Sequence, residues 1–241
     1  MNISNSDYVE VIPDYLFFGN VKFARNIEGL KAKKINTIIN LIYSNKQDSQ
    51  IKYNENDGFN VLYHPVKDTP KTGLSWAEQA AEFIQAALSK NNPVYVHCSQ
   101  GVSRSTTLVL YYMMTRKNFN LKSAFDLVKA MRPIICPSIG FFKGLVDLDV
   151  KMNGSNTFTT EDFSLLCLRE LSEEVSEEDS KEAYEKAKIL VNSDKEVVTN
   201  LINRINNDDI EPIGYLAIDI LIKKYSSVKE RGHCSLHHPF D

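Results

Sequence analysis

The chain has 241 residues, 43% hydrophobic and 24% charged, with a formal net charge of −3. That balance belongs to a soluble globular protein, one large domain or a domain with a smaller companion. It excludes a membrane-spanning chain, since no window approaches the roughly 18 uninterrupted apolar residues of a span. Cys98, Cys136, Cys167 and Cys234 are too scattered for a disulfide framework or a metal cluster. The opening residues show no basic start followed by an apolar stretch, so no secretory signal is expected. A reducing, cytoplasmic setting fits the cysteines, with nuclear access open. Charge is uneven: residues 1–154 hold 18 Lys+Arg against 13 Asp+Glu, and residues 155–241 hold 10 against 18. The basic front half suits an anionic substrate or is one of two solvated surfaces.

Ile12 to Asn20 predicts a short strand pair turned at Pro13-Asp14. Val21, Ala24, Ile27 and Leu30 share a helical face. Ile35 to Ile42 is an isoleucine-rich run that predicts a buried strand. Tyr43 to Gly58 is polar and predicts an exposed loop, and Phe59 to Val66 a third strand. A polar loop containing Asp68 follows. Leu74 to Leu88 is amphipathic and predicts a helix. A strand over Val94–Val96 and an apolar helix reaching Lys117 flank the stretch His97–Ser105. Asn120 caps a further expected helix, which stops at Arg132-Pro133, and Pro137-Ser138 is expected to cap a last one from Ile139 to about Lys151. Alternating strands and helices predict a sheet with helices on both faces. Beyond Asn153-Gly154 every pattern is helical: Thr160–Ser172, Ser176–Val191, a stretch capped by Ser193 and one opened by Pro212. The expected division is an α/β domain over 8–153, a helical C-terminal region over 157–228 and a loose tail over 229–241. The helical region is acidic, and is either a docking module or a packed extension.

His97 to Ser105 reads His-Cys-Ser-Gln-Gly-Val-Ser-Arg-Ser and lies between a predicted strand and a predicted helix. The backbone N–H groups of such a loop point inward, and the helix N-terminus adds positive potential, so Ser99, Gln100, Gly101, Val102, Ser103 and Arg104 are expected to cradle a tetrahedral dianion. Gly101 lets the backbone turn and approach the oxygens. The same field lowers a cysteine pKa from ~8.5 toward ~3.5–7.5, making Cys98 a thiolate suited to in-line attack on phosphorus. Arg104 offers a planar fork to two phosphoryl oxygens. Ser105 can donate to the sulfur and ease its departure, while His97 is better placed to orient the loop than to react. The leaving group needs a proton from outside the loop, and Asp68 is the first candidate, with Asp57 the second. Arg132 either steadies the cradle or ends a surface helix. Cys136 is either a redox partner of Cys98 or a structural thiol. His233, Cys234, His237 and His238 match no standard zinc spacing, so no metal is expected there; no cofactor is expected.

Cys98 to Arg104 is Cys-x5-Arg. With His97 and Ser103-Arg104-Ser105 it resembles the signature of cysteine-dependent dual-specificity protein phosphatases. The resemblance covers roughly residues 8–150 and takes in Ile12-Pro13, Leu16 to Asn20, the Ile35–Leu41 strand, Asp68, Tyr112-Met113-Met114, Arg132-Pro133 and Pro137 to Phe142. It implies an α/β fold with a central, mostly parallel sheet of about five strands flanked by helices, followed here by an all-α extension. It implies phosphorylated proteins as substrates, with kinases among the candidate partners, and neither nucleic acid nor membrane. The implied reaction is hydrolysis of phosphotyrosine and phosphoserine/phosphothreonine through a phosphocysteine intermediate. The alternatives are a catalytically weak phosphoprotein-binding module, or a phosphatase of RNA 5′ ends or phosphoinositides. Relatives acting on inositol phospholipids tend to carry lysines inside the loop, whereas Ser99, Gln100 and Val102 are uncharged. Where the family commonly has asparagine, a brace of the cradle, this chain has Ser138, which puts the bracing geometry in question.

Overall fold

The computed structural model describes residues 6–43, 51, 53, 57–69 and 71–159. The helices expected from Thr160 onward, the tail, Cys167, Cys234 and the terminal histidines lie outside the described residues.

Among the described residues five strands form one sheet: β1 (Tyr8–Ile12), β2 (Leu16–Gly19), β3 (Thr37–Ile42), β4 (Asn60–Val66) and β5 (Val94–His97). Their spatial order is β1-β2-β5-β3-β4. The edge hairpin β1–β2 is antiparallel, and the pairs β2–β5, β5–β3 and β3–β4 are parallel. The hairpin turn places Asp14 at φ 64 and closes with Tyr15 N–H donating to the Ile12 carbonyl at 2.9 Å. A mostly parallel sheet is the expected class, and its burial explains the sequence pattern. Central β5 has helices over both faces, so all four of its residues are 0% exposed and the strand shows no polar alternation. Edge strand β4 carries Pro65, which a ladder tolerates at its border.

One face is covered by α1 (Val21–Ala24) and α2 (Ile27–Ala32). Phe17, Ile38 and Tyr95 point to this face and pack with Phe23, Ala24, Leu30 and Ile35. The other face carries α3 (Ala77–Leu88), α4 (Arg104–Lys117), α5 (Leu121–Met131) and α6 (Ile139–Asn153), with α4 against the other three. α4 is buried over most of its length, its polar first turn from Arg104 to Thr107 as well as most of the apolar run from Leu108 to Met114. Among the described residues no helix is long and apolar enough to cross a membrane.

Three local expectations are corrected. The face running from Val21 to Leu30 is two helices, because Asn26 accepts the Gly29 N–H at 2.8 Å and starts a new helix where the first would have continued. The helix expected from Leu74 begins at Ala77, since Leu74 packs its side chain over Gly144 of α6. The segment from Tyr43 to Gly58 is not wholly exposed: Ile51 is buried in the α1–α2 core, and Tyr53 packs against it and donates to the Ala24 carbonyl at 3.2 Å.

Candidate active site

Parallel pairing brings the C-terminal ends of β3, β4 and β5 to one edge of the sheet, where open α/β sheets form their crevices. Cys98 directly follows β5 and Asp68 lies two residues past β4. The chain turns at Gly101, φ +71, and enters α4 at Arg104.

The carbonyls of this loop are held from outside. Ser99 O accepts from Val21 N–H at 3.1 Å, Gln100 O from Arg132 Nη2 at 3.0 Å, Gly101 O from Arg132 Nε at 2.8 Å and Val102 O from Cys136 N–H at 2.9 Å. With its carbonyls turned outward, the loop directs amides inward, which is the geometry of an anion nest. Gly101 N–H donates to Cys98 Sγ at 3.2 Å, and Ser105 Oγ lies 3.3 Å from the same sulfur.

Burial by itself raises the Cys98 thiol. The Arg104 guanidinium, the Ser105 hydroxyl and amide, and the Gly101 amide outweigh it, and the net shift is below the ordinary thiol value. The thiolate is therefore more accessible than in an unperturbed cysteine. His97 is held down at about 4, chiefly by burial; the hydrogen bond to the Cys98 carbonyl opposes that shift and the Arg104 charge adds to it. A neutral imidazole with Nδ1 3.4 Å from Cys98 O fits loop orientation, not proton transfer at neutral pH.

Arg104 is 8% exposed and anchored at its tip. Nη1 donates to Leu41 O at 3.3 Å and Val66 O at 3.5 Å, and Nη2 to Ser99 Oγ at 3.2 Å. Its Nε is buried without a hydrogen-bond partner among the described residues and lies 3.5 Å from Asp68 Oδ2. Asp68 Oδ1 accepts from Ser103 Oγ at 3.0 Å, and the Asp68 loop is tightened by a 2.8 Å hydroxyl pair between Thr69 and Thr72. The Cys98 sulfur with its two donors and the Arg104–Asp68 pair stand at the same end of the sheet.

The structure thus brings Cys98, Arg104, Ser105 and Asp68 together, with Ser99 to Ser103 as the loop and His97 beneath it. Asp57 is not part of this cluster; it pairs with Lys31 Nζ at 3.3 Å. Ser138 stands at the N-cap position of α6, but its hydroxyl caps nothing and has no partner among the described residues. Its backbone N–H donates instead to Ser103 Oγ at 3.0 Å. A brace therefore exists, made by main chain where a longer side chain was expected. Arg132, left open between two roles, is 3% exposed and grips two loop carbonyls and the Ser6 carbonyl. The sequence signal for it was the Arg-Pro helix stop, which says where a helix ends and nothing about burial. Among the described residues no group of three or more His, Cys, Asp or Glu side chains is placed to hold a metal.

The family model for the dual specificity phosphatase catalytic domain matches residues 16–151. Dual specificity protein phosphatase 2 of Mus musculus is 31% identical over 149 residues, covering 60% of this chain and 43% of that protein. Dual specificity protein phosphatase 19 of Mus musculus is 33% identical over 159 residues, covering 64% of this chain and 69% of the relative. Among solved structures, the human tyrosine phosphatase-like serine/threonine/tyrosine-interacting protein superposes with a TM-score of 0.55 at 28% identity, over 60% of this chain and 96% of that one. The chain spans less than half the length of the first of these relatives. The matched segment holds all of β2 to α5, Asp68 and the whole cysteine loop, and by it the chain belongs to the dual specificity phosphatase catalytic-domain family.

Proposed function

We propose that this protein is a cysteine-dependent protein phosphatase that hydrolyses phosphotyrosine and phosphoserine/phosphothreonine through a phosphocysteine intermediate. The reading is carried by the Cys98 sulfur, buried yet biased toward thiolate, with Arg104 and Asp68 on the same side of the loop. Loop amides and the Arg104 Nε–H donate to the phosphoryl oxygens, so charge developing on them meets donors already in place. Cys98 Sγ attacks phosphorus in line. The bond from phosphorus to the leaving oxygen breaks, and that oxygen takes the Asp68 proton. Water then attacks the phosphocysteine and gives its proton to the Asp68 carboxylate. The sulfur leaves as a thiolate eased by the Ser105 hydroxyl, and inorganic phosphate is released. The family supports protein substrates, and the uncharged Ser99, Gln100 and Val102 agree with them.

Phosphate release from aryl phosphates and from phosphotyrosine and phosphoserine/threonine peptides, measured for the native chain and for Cys98→Ser, tests the proposal. Turnover on phosphopeptides that Cys98→Ser abolishes is the expected result. Equally slow release by both proteins indicates a binding module, and release only from RNA 5′ ends or phosphoinositides indicates another substrate class.

A further inference from the structure

We infer that Ser103 is a positioning residue that, held by the backbone of Ser138, aims the Asp68 carboxyl so that the proton transferred to the leaving group rides on Oδ2. This rests on the phosphatase reading above, with Asp68 as its acid.

Ser103 occupies the N-cap position of α4, where a serine hydroxyl ordinarily accepts an amide of the first turn. Here it makes no cap bond. Two other groups take it: the Ser138 N–H donates to Oγ at 3.0 Å, and Oγ donates to Asp68 Oδ1 at 3.0 Å. The order is forced by inventory. An amide N–H can only donate, so Ser138 occupies a lone pair of Oγ and leaves the hydroxyl proton to find an acceptor. Asp68 Oδ1 is the acceptor it has among the described residues. Oδ1 thus receives a proton from serine, and an acidic proton belonging to the carboxyl sits on Oδ2. That oxygen is the one 3.5 Å from Arg104 Nε, whose N–H has no hydrogen-bond partner among the described residues. The chain Ser138 N–H to Ser103 to Asp68 therefore turns the proton-bearing oxygen toward the scissile bond. Ser103 is 9% exposed, so little water competes for its hydroxyl. The Ser138 hydroxyl takes no part, which accounts for a short residue serving at this position.

The readout is the dependence of kcat/KM on the leaving group across aryl phosphates of rising phenol pKa, for the native chain, Ser103→Ala, Ser103→Thr and Asp68→Ala. General acid assistance contributes typically 10²–10⁴-fold and matters most for poor leaving groups, so Ser103→Ala is expected to lose at least roughly tenfold more on the poorest than on the best. Ser103→Thr, which keeps the hydroxyl, should restore the shallow dependence. Adding Ser103→Ala to Asp68→Ala should steepen nothing further, because the group being aimed is gone. A uniform loss across the series, or an equally steep series for threonine, overturns the positioning role while leaving Asp68 as acid. A series unchanged by Asp68→Ala overturns the acid assignment and the positioning role with it. Should alanine disturb the loop, Ser103→Cys, nearly isosteric with only a weak donor, is expected to give the same unequal loss, and a native-like series for it counts against the role.

Discussion

Gly101 and Gly19 meet backbone to backbone: a Cβ on Gly101 would stand 2.5 Å from the Gly19 carbonyl carbon and 2.7 Å from its oxygen. The contact locks the cysteine loop onto the end of β2. Gly101 also has φ +71, which disfavours any other residue. Gly101→Ala must move the loop, and displacements of about 1 Å can cost 10²-fold in rate. The expected outcome is a kcat/KM lower by roughly 10²-fold on an aryl phosphate, with the far-ultraviolet circular dichroism of a folded protein.

Arg132 works from behind the same loop. Its hydrogen bonds to Gln100 and Gly101 are charge-assisted, each worth about 1.5–3 kcal/mol, and its removal takes the donor from the buried Gly101 carbonyl. Arg132→Ala should lower stability by about 3 kcal/mol or more in urea melts. Arg132→Lys cannot reproduce the fork and should recover only part of that loss. Native-like melts for both variants would place the loop's support elsewhere.

Alkylation of Cys98 by iodoacetamide reports its thiolate directly. Its rate against pH should titrate below the ordinary thiol range in the native chain. In Arg104→Ala the upward push of burial loses its largest counterweight, so the midpoint should move up. Phosphatase turnover should fall by at least roughly 10²–10³-fold with the loss of the phosphoryl clamp. A midpoint that does not move would assign the bias to the Ser105 hydroxyl and the loop amides.

His97 predicts an acid-side loss of stability. Its folded pKa, about 4, lies below the ordinary 6.5, so between these values the unfolded chain binds a proton that the folded chain does not. Stability from this group is complete above about pH 6.5 and falls as pH drops toward 4, by about 3 kcal/mol in all. His97→Asn lacks that titration. The stability difference between native chain and variant should therefore shift against the native chain from pH 7 to pH 4.5. A constant difference would mean that His97 does not titrate in this window.

Much of the fold and of the candidate site was legible because the signals are local. A buried parallel strand reads as an apolar run, as at Thr37–Ile42 and Val94–His97, and an amphipathic helix reads as a 3.6-residue period, as at Ala77–Leu88. The cysteine loop compresses nucleophile, turn, clamp and helix start into nine residues, so chemistry and conformation are specified together. Asp68 was traceable as an acid just beyond a strand. The break at Asn26 was harder: its side chain can cap a helix or sit on one, and periodicity does not say which.

The residues alone thus pointed to a strand-to-helix phosphate cradle with a cysteine at its floor, and to an acid just past another strand. Tertiary structure decided what holds that cradle. Gly19 lies 82 positions before Gly101, Arg132 is 31 positions from the loop carbonyl it grips, and Ser138 is 35 from Ser103. Such partners leave no periodic mark, because a guanidinium or an amide serves equally well from any element the fold carries there. The inward set of the amides and the aim of Asp68 follow from those long-range bonds. They exist only once the sheet has brought three strand ends to one edge.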